Sequence, residues 1–539
     1  MNGNRRWRVG ALHLALFTFY GGGLAGQAPL ARGWDKVRLQ HDALRYDIFL
    51  TLPDTGAFFA AEVTTRWKLG AGGSISLDLD DALTVRSVTL NGVAARWQRV
   101  GDHIVIPVGS RAGSSVTTQI RYDGVPIDGL LFRGSGAGRT IFADNWPDRA
   151  HLWLASQDHP GDKASVGWTI DAPAGFSVVA NGVLERVDTA ADGRRLRWRF
   201  LNLEPIPVYT MVMGMARFAV TRLAPACAVR CVPVALFTYP DDSAFAATGP
   251  FRRASQIVDF FAQRIAPFPY AELRHVESST RFGGMENSTA IFYDEKAYRS
   301  RTTREQVVAH ETAHQWFGDA VTEADWHHVW LSEGFATYGA ALWEEHVGGD
   351  SALRLAMRAA RARILASAAS ERPILDSTIT NRFSLLNTNS YEKGSWVLHS
   401  LRGLVGDEAF FRGLAQYYRS YEHKNALSSD FARELGRAAG QDLDWFFRQA
   451  LTQPGYPILE VTTELDGGHL LLTIRQVQQR AWGVYRLPNL RVRLDDRVLT
   501  VNLAGAVTRV ATHWESASGP ATIAVDPEGW WLLQVKGER

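Results

Sequence analysis

His310-Glu311-Thr312-Ala313-His314 is the stretch whose residue types and spacing most directly permit chemistry. On a helix, residues i and i+4 share a face, so the two imidazoles can bind one metal ion. Glu311 then lies beside that metal, placed to take a proton from a water. Thr302 and Glu305 predict a capping box that opens this helix. A catalytic zinc takes three protein ligands and keeps a fourth position open. Glu333 is expected to be the third: it lies nineteen positions after His314 and heads a helix-like run through Phe335, Tyr338 and Leu342. Zinc on His310, His314 and Glu333 would lower the pKa of a bound water toward neutrality, within reach of Glu311.

With Glu333, the motif resembles the gluzincin arrangement, and specifically the M1 family of zinc aminopeptidases (the aminopeptidase N and leukotriene A4 hydrolase group). Three further segments match that family in the same order along the chain. Gly283-Gly284-Met285-Glu286-Asn287 resembles its G-x-M-E-N exopeptidase signature. Tyr391-Glu392-Lys393-Gly394 resembles the segment with its catalytic tyrosine, and Asp158-His159-Pro160-Gly161-Asp162-Lys163-Ala164 a stretch of its N-terminal domain. The resemblance runs from about residue 40 to about 460. It implies a zinc-dependent aminopeptidase that removes N-terminal residues from peptides, with Glu311 as general base and Tyr391 as the second donor to the oxyanion.

Glu286 has a direct use in such an enzyme, because a carboxylate in a sheltered site binds the ammonium of a free peptide N-terminus. Gly283 and Gly284 suit a strand lying close to substrate backbone; Met285 and Asn287 complete that segment, and Phe282 is expected to line the pocket for the first side chain. The match has departures. Trp146 stands where many members have Glu or Gln, and His151 where many have Arg. Amine recognition is then expected to lean on Glu286 and Glu333. Rival readings are hydrolysis of a non-peptide bond such as an epoxide, a general zinc endopeptidase, and a non-catalytic binding module on the same fold.

A chain of 539 residues is too long for one core and suggests about three domains. Its net charge of +2 carries nothing like the basic stripe a nucleic-acid partner would need. Arg5, Arg6 and Arg8 precede an apolar run from Val9 to Tyr20 and small residues up to Ala28. That pattern predicts a secretory signal over residues 1–28 and a periplasmic or secreted bacterial protein; an uncleaved anchor is the rival. No later segment is expected to span a membrane. Cys227 and Cys231 either close a small disulfide loop in an oxidising compartment or are two buried thiols.

The expected fold class is multidomain α+β. Period-two alternation, as in Glu62 to Leu69 and Ser74 to Asp80, predicts an N-terminal antiparallel β domain with one wet face over residues 35–217, and Asn91-Gly92 a hairpin turn. Helical periodicity follows, at Phe251 to Ile265, Glu305 to Phe317, Glu333 to His346, Ser351 to Ala368 and Trp396 to Leu404, with extended chain over 266–298. Residues 218–452 are therefore expected to form a mainly α catalytic domain, thermolysin-like by the resemblance. Gln453-Pro454-Gly455-Tyr456-Pro457 reads as a linker. Strand character returns beyond it, as expected of a small C-terminal β-sandwich over 457–539. Many M1 members continue into a large helical domain; this chain ends at Arg539, and a short form without that domain is expected.

Overall fold

A computed structural model describes residues 40–109, 111–515 and 518–537. The expected signal segment, 1–28, lies outside the described residues. The alternation read in the sequence becomes an eight-stranded sheet in which Asp42–Thr51, Phe59–Lys68 and Ser115–Gly124 are neighbours. Val63, Thr65, Trp67 and Leu69 point into the core, as their period predicts. Asn91 and Gly92 both have positive φ (52° and 80°), the backbone a tight two-residue hairpin demands, and Leu90 pairs with Val93.

Two expectations for this region change. The sheet is not wholly antiparallel, because Asp42–Thr51 runs parallel to Lys163–Pro173, with Arg45 opposite Ser165. Nor is one face wet throughout: in Ser74–Asp78 the polar Ser76 and Asp78 are as buried as Ile75 and Leu77. Asp78 tolerates burial because His103 Nδ1 lies 2.7 Å from one oxygen and the Asp158 backbone N–H donates to the other.

Further along, a five-stranded sheet runs in the order Ala219–Arg222, Val234–Thr238, Leu273–Ser278, Ala290–Asp294, Gly284–Met285. The first two of these strands fall where helical periodicity alone was expected. The central three are parallel, and every residue of Leu273–Ser278 is buried, as both faces of such a strand require. Gly284–Met285 is the edge, antiparallel to Phe292–Tyr293. Helices Ala254–Arg264, Glu305–His314, Trp330–Leu365, Gly394–Val405, Asp407–Tyr421, Ser428–Ala439 and Asp444–Thr452 make up much of the rest of this region, and Glu305–His314 lies against the edge strand Gly284–Met285. Gly349 (φ 71°, ψ −174°) interrupts the longest, so it is the pair of helices the sequence predicts.

The capping box does not form. Arg304 is the N-cap and makes no side-chain cap. Glu305 instead accepts from Arg253 Nε at 2.9 Å and Trp343 Nε1 at 2.7 Å, tying the metal-motif helix to its neighbours. Beyond residue 457, a four-stranded and a three-stranded sheet close the described chain. Cys227 and Cys231 are disulfide-bonded, beside the bridge between Ala226 and Val232. No described helix is long and apolar enough to cross a membrane.

Candidate active site

Two helices converge on one point. His310 and His314 come from Glu305–His314, and Glu333 from the first turn of the Trp330–Leu365 run. His310 Nε2 and His314 Nε2 are 3.1 Å apart, and Glu333 Oε2 is 3.4 and 3.3 Å from them. Three ligands on a tetrahedral zinc with bonds of about 2.0–2.1 Å sit about 3.3–3.4 Å from each other. The triangle therefore has the size of three corners of a zinc site. Glu333 Oε2 is buried and accepts no hydrogen bond, which is the state of an oxygen reserved for a metal.

The supporting atoms fit as well. His314 Nδ1 lies 3.0 Å from Ser332 Oγ and 3.2 Å from the Phe317 carbonyl, which directs Nε2 at the shared point. Burial lowers the His310 pKa against the pull of Glu333, and so favours the neutral imidazole a metal needs. Burial alone would raise Glu333, but the two imidazoles outweigh it and hold the carboxyl at about 2.

Glu311 and Glu286 stand on the other side of His314, their oxygens and a His314 nitrogen all within 4.8 Å of one another. Burial raises both carboxyls, Glu286 to about 7. Gly284 passes so close to Glu311 that a Cβ there would fall 2.1 Å from Oε1, whereas one on Gly283 would meet nothing within 4 Å. The two glycines thus differ in kind. Met285 is buried in the edge strand. Asn287 is buried with neither side-chain polar atom bonded, while the Glu286 carbonyl accepts from Gln315 Nε2 at 2.8 Å. Asn181 Nδ2 donates to the Ser288 carbonyl at 2.7 Å, and Arg281 reaches Asp144 and Asp128, so the N-terminal strands fix this segment from both ends.

Tyr391 rises from a π-helical turn, Asn389–Lys393, and donates its hydroxyl to Glu333 Oε1 at 2.7 Å. Burial first, then the Glu333 charge, pushes its pKa well above the usual range, so it remains an O–H donor. Phe282 packs edge-on against Trp146 (5.9 Å), which also meets Trp326 (5.5 Å) and Phe383 (5.9 Å). His151 lies with Nδ1 2.8 Å from Asp158.

Sequence reading left out the polar support behind the metal helix. Gln315 bonds Asp319, the Thr289 N–H and the Glu286 carbonyl together. Lys163, quoted in the Asp158–Ala164 stretch without a role, buries its ammonium against the carbonyls of Asp319 and Ala320, each at 2.7 Å. Glu323, with 1% exposure and no hydrogen bond to either carboxylate oxygen, was not singled out. Nothing in Val321-Thr322-Glu323 itself marks it, since charged residues flank the segment at Asp319 and Asp325.

Paired helices giving two histidines and a glutamate, beside the edge strand of a sheet, are the arrangement that the resemblance to gluzincins leads one to expect. Residues 251–449 match the peptidase family M1 domain. It is 27% identical over 472 residues to aminopeptidase N of Streptomyces lividans, covering 81% of this chain and 53% of that protein. It is likewise 27% identical over 411 residues to probable aminopeptidase 1 of Saccharolobus solfataricus, covering 71% of this chain and 50% of that protein. The chain thus spans about half the length of these curated relatives. Its fold is similar to that of an M1 zinc metallopeptidase from Deinococcus radiodurans, with TM-score 0.69 and 23% identity over 78% of this chain and 95% of the other.

Proposed function

We propose that this protein is a zinc-dependent aminopeptidase, removing single residues from the free N-terminus of peptides. The observation that carries the reading is the placement of Glu286, within 4.8 Å of both Glu311 and the ligand His314. A carboxylate so placed fixes the substrate ammonium on the same residue as the reacting carbonyl, so only the first peptide bond is presented. Zinc held by His310, His314 and Glu333 would acidify a water and polarise the scissile carbonyl.

The residues of the chain supply the rest. Glu311 takes a proton from the attacking water and passes it to the departing amine. Tyr391 leaves Glu333 Oε1 and donates to the carbonyl oxygen as charge develops there. Gly284 lets the edge strand lie against the base, and Phe282 with Trp146 supplies an aromatic wall for the first side chain. The relatives that this chain resembles are named aminopeptidases, which supports the same reading.

We further propose three domains, 35–217, 218–452 and 457–539, on the grouping of the sheets and helices. Export is proposed from the pattern of residues 1–28, and the Cys227–Cys231 disulfide supports it. Sequencing the N-terminus of protein from a periplasmic fraction tests that step.

The test of function is a panel of aminoacyl fluorogenic amides, each also acetylated, assayed with and without a chelator. Free-amine substrates should be cleaved, acetylated ones at least 30-fold less well by the usual cost of breaking a buried ion pair, about 2–5 kcal/mol. Comparable internal cleavage of blocked peptides would replace the reading with a general endopeptidase.

A further inference from the structure

Tyr391 offers its hydroxyl from a short π-helical turn, Asn389–Lys393. Such turns are rare, and those that occur are frequent at functional sites. In this one the Lys393 N–H reaches back to the Thr388 carbonyl at 2.9 Å. A donor that must let go of Glu333 Oε1 and turn to the substrate carbonyl cannot take its position from that hydrogen bond. Something else has to hold the turn.

Two buried side chains hold it from behind. Asn389 and Lys393 are four residues apart, on the face of the turn away from Tyr391, and each is 4% exposed. Asn389 Nδ2 donates to the Ala369 carbonyl at 2.7 Å and lies 3.0 Å from the Arg372 carbonyl. Lys393 Nζ donates to the Ser370 carbonyl at 3.2 Å and to the same Arg372 carbonyl at 3.3 Å. Burial lowers the Lys393 pKa to about 7, but ammonium and amine alike carry the two N–H groups these bonds use. Any donor would satisfy a buried carbonyl. These two come from both sides of Tyr391 and meet at one oxygen, which fixes the turn against rotation as well as translation.

The anchor is itself held. The Ser370 carbonyl also accepts the Gly455 N–H at 3.0 Å, and the Leu375 N–H donates to the Leu451 carbonyl at 3.0 Å. The chain from Ala369 to Leu375 is thus tied to the helix Asp444–Thr452 and to the stretch just beyond it.

We infer that Asn389 and Lys393 are positioning residues for the Tyr391 hydroxyl: they pin its turn to the carbonyls of Ala369, Ser370 and Arg372, so that the O–H exchanges Glu333 for the oxyanion while its backbone stays in place. The inference rests on the reading of Tyr391 as the oxyanion donor.

The test is a double-mutant cycle in the full-length protein on an alanyl fluorogenic amide, with zinc content and melting temperature measured for each variant. Asn389→Leu and Lys393→Met keep the side-chain size and remove the donors. Each should lower kcat about 10- to 100-fold, with KM within about threefold of wild type and zinc undiminished, as expected of a misplaced catalytic group. Combined with Tyr391→Phe, which has no hydroxyl left to place, each should cost less than about threefold more. A purely structural role would instead slow both backgrounds alike.

Both single variants with kcat within threefold of wild type would overturn the proposal. So would full multiplication of the losses in the Tyr391→Phe background, and so would failure of both variants to fold, which would make the two side chains requirements of the fold. Near-normal kcat in Tyr391→Phe alone would end the donor reading and the inference with it. Normal Asn389 and Lys393 variants beside an impaired Tyr391→Phe remove only the present inference.

Discussion

Exchanging Gly284 for alanine sets a single methyl group against Glu311, the proposed general base. The added Cβ would lie 2.1 Å from Glu311 Oε1 and 2.4 Å from its Cδ, where ordinary contact begins at 3.4 Å. Something must therefore retreat by about 1 Å. The strand is held by its pairing with Phe292 and Tyr293, both fully buried, so the carboxylate is the softer partner. Moving a catalytic group by about 1 Å costs on the order of 100-fold. Gly284→Ala should therefore lower kcat about 100-fold while zinc content stays at wild type, because no ligand is touched. Gly283→Ala is the internal control: its Cβ would meet nothing within 4 Å, and its kinetics should match wild type. Steady-state kinetics on one aminoacyl amide, with metal analysis of each variant, decides the matter. A G284A enzyme within threefold of wild type would refute the steric argument, and so would equal impairment of both variants.

Other outcomes follow from the same geometry. The double variant His310→Ala, His314→Ala should lose bound zinc and all turnover; undiminished metal in it would contradict the three-ligand site. Glu311→Gln should keep zinc but not turn over, since an amide cannot take the water's proton; near-normal kcat would place the base elsewhere. Tyr391→Phe should lower kcat by about two to three orders of magnitude with little change in KM, as expected for a contact made in the transition state. The pH profile carries a sign: burial raises Glu286 to about 7, so acidification through that value neutralises it and weakens its hold on a substrate that stays cationic. kcat/KM should fall on that acid limb, and Glu286→Gln should remove the part of the limb that Glu286 causes. A wild-type kcat/KM that stays flat down through that pH would contradict the assignment.

The cluster of His310, His314 and Glu333 was legible because it is local: His310 and His314 sit one helical turn apart, and Glu333 opens the next long helix. Glu286 and Tyr391 were readable only through their neighbours in sequence, Gly283 to Asn287 and Tyr391 to Gly394. Charges brought in by tertiary packing left little trace. Lys163 reaches carbonyls more than 150 positions away, and Glu323 becomes notable only once its oxygens are seen to lack partners. Local rules also yielded to longer-range ones. Glu305 has the residue type for a capping box, yet Arg253 and Trp343 offer it stronger partners. Alternation in Ser74–Asp78 predicts a wet face, yet chain from elsewhere covers it, and Asp78 binds that covering chain through the Asp158 N–H.

The helix that carries Glu333 and the one that follows Tyr391 meet at a point where neither has a side chain. A Cβ on Gly334 would fall 2.9 Å from the Gly394 backbone, so the Trp330–Leu365 and Gly394–Val405 helices touch main chain to main chain, one residue after Glu333 and three after Tyr391. The separation of ligand and donor is thereby a backbone length, indifferent to how the surrounding side chains repack. In the proposed aminopeptidase, selectivity for the first residue can drift with substitutions along the aromatic wall while this spacing stays fixed. A bulkier residue at either glycine would instead pry apart the two halves of the proposed reaction centre at once, and no compensating change at a single neighbouring side chain would restore both.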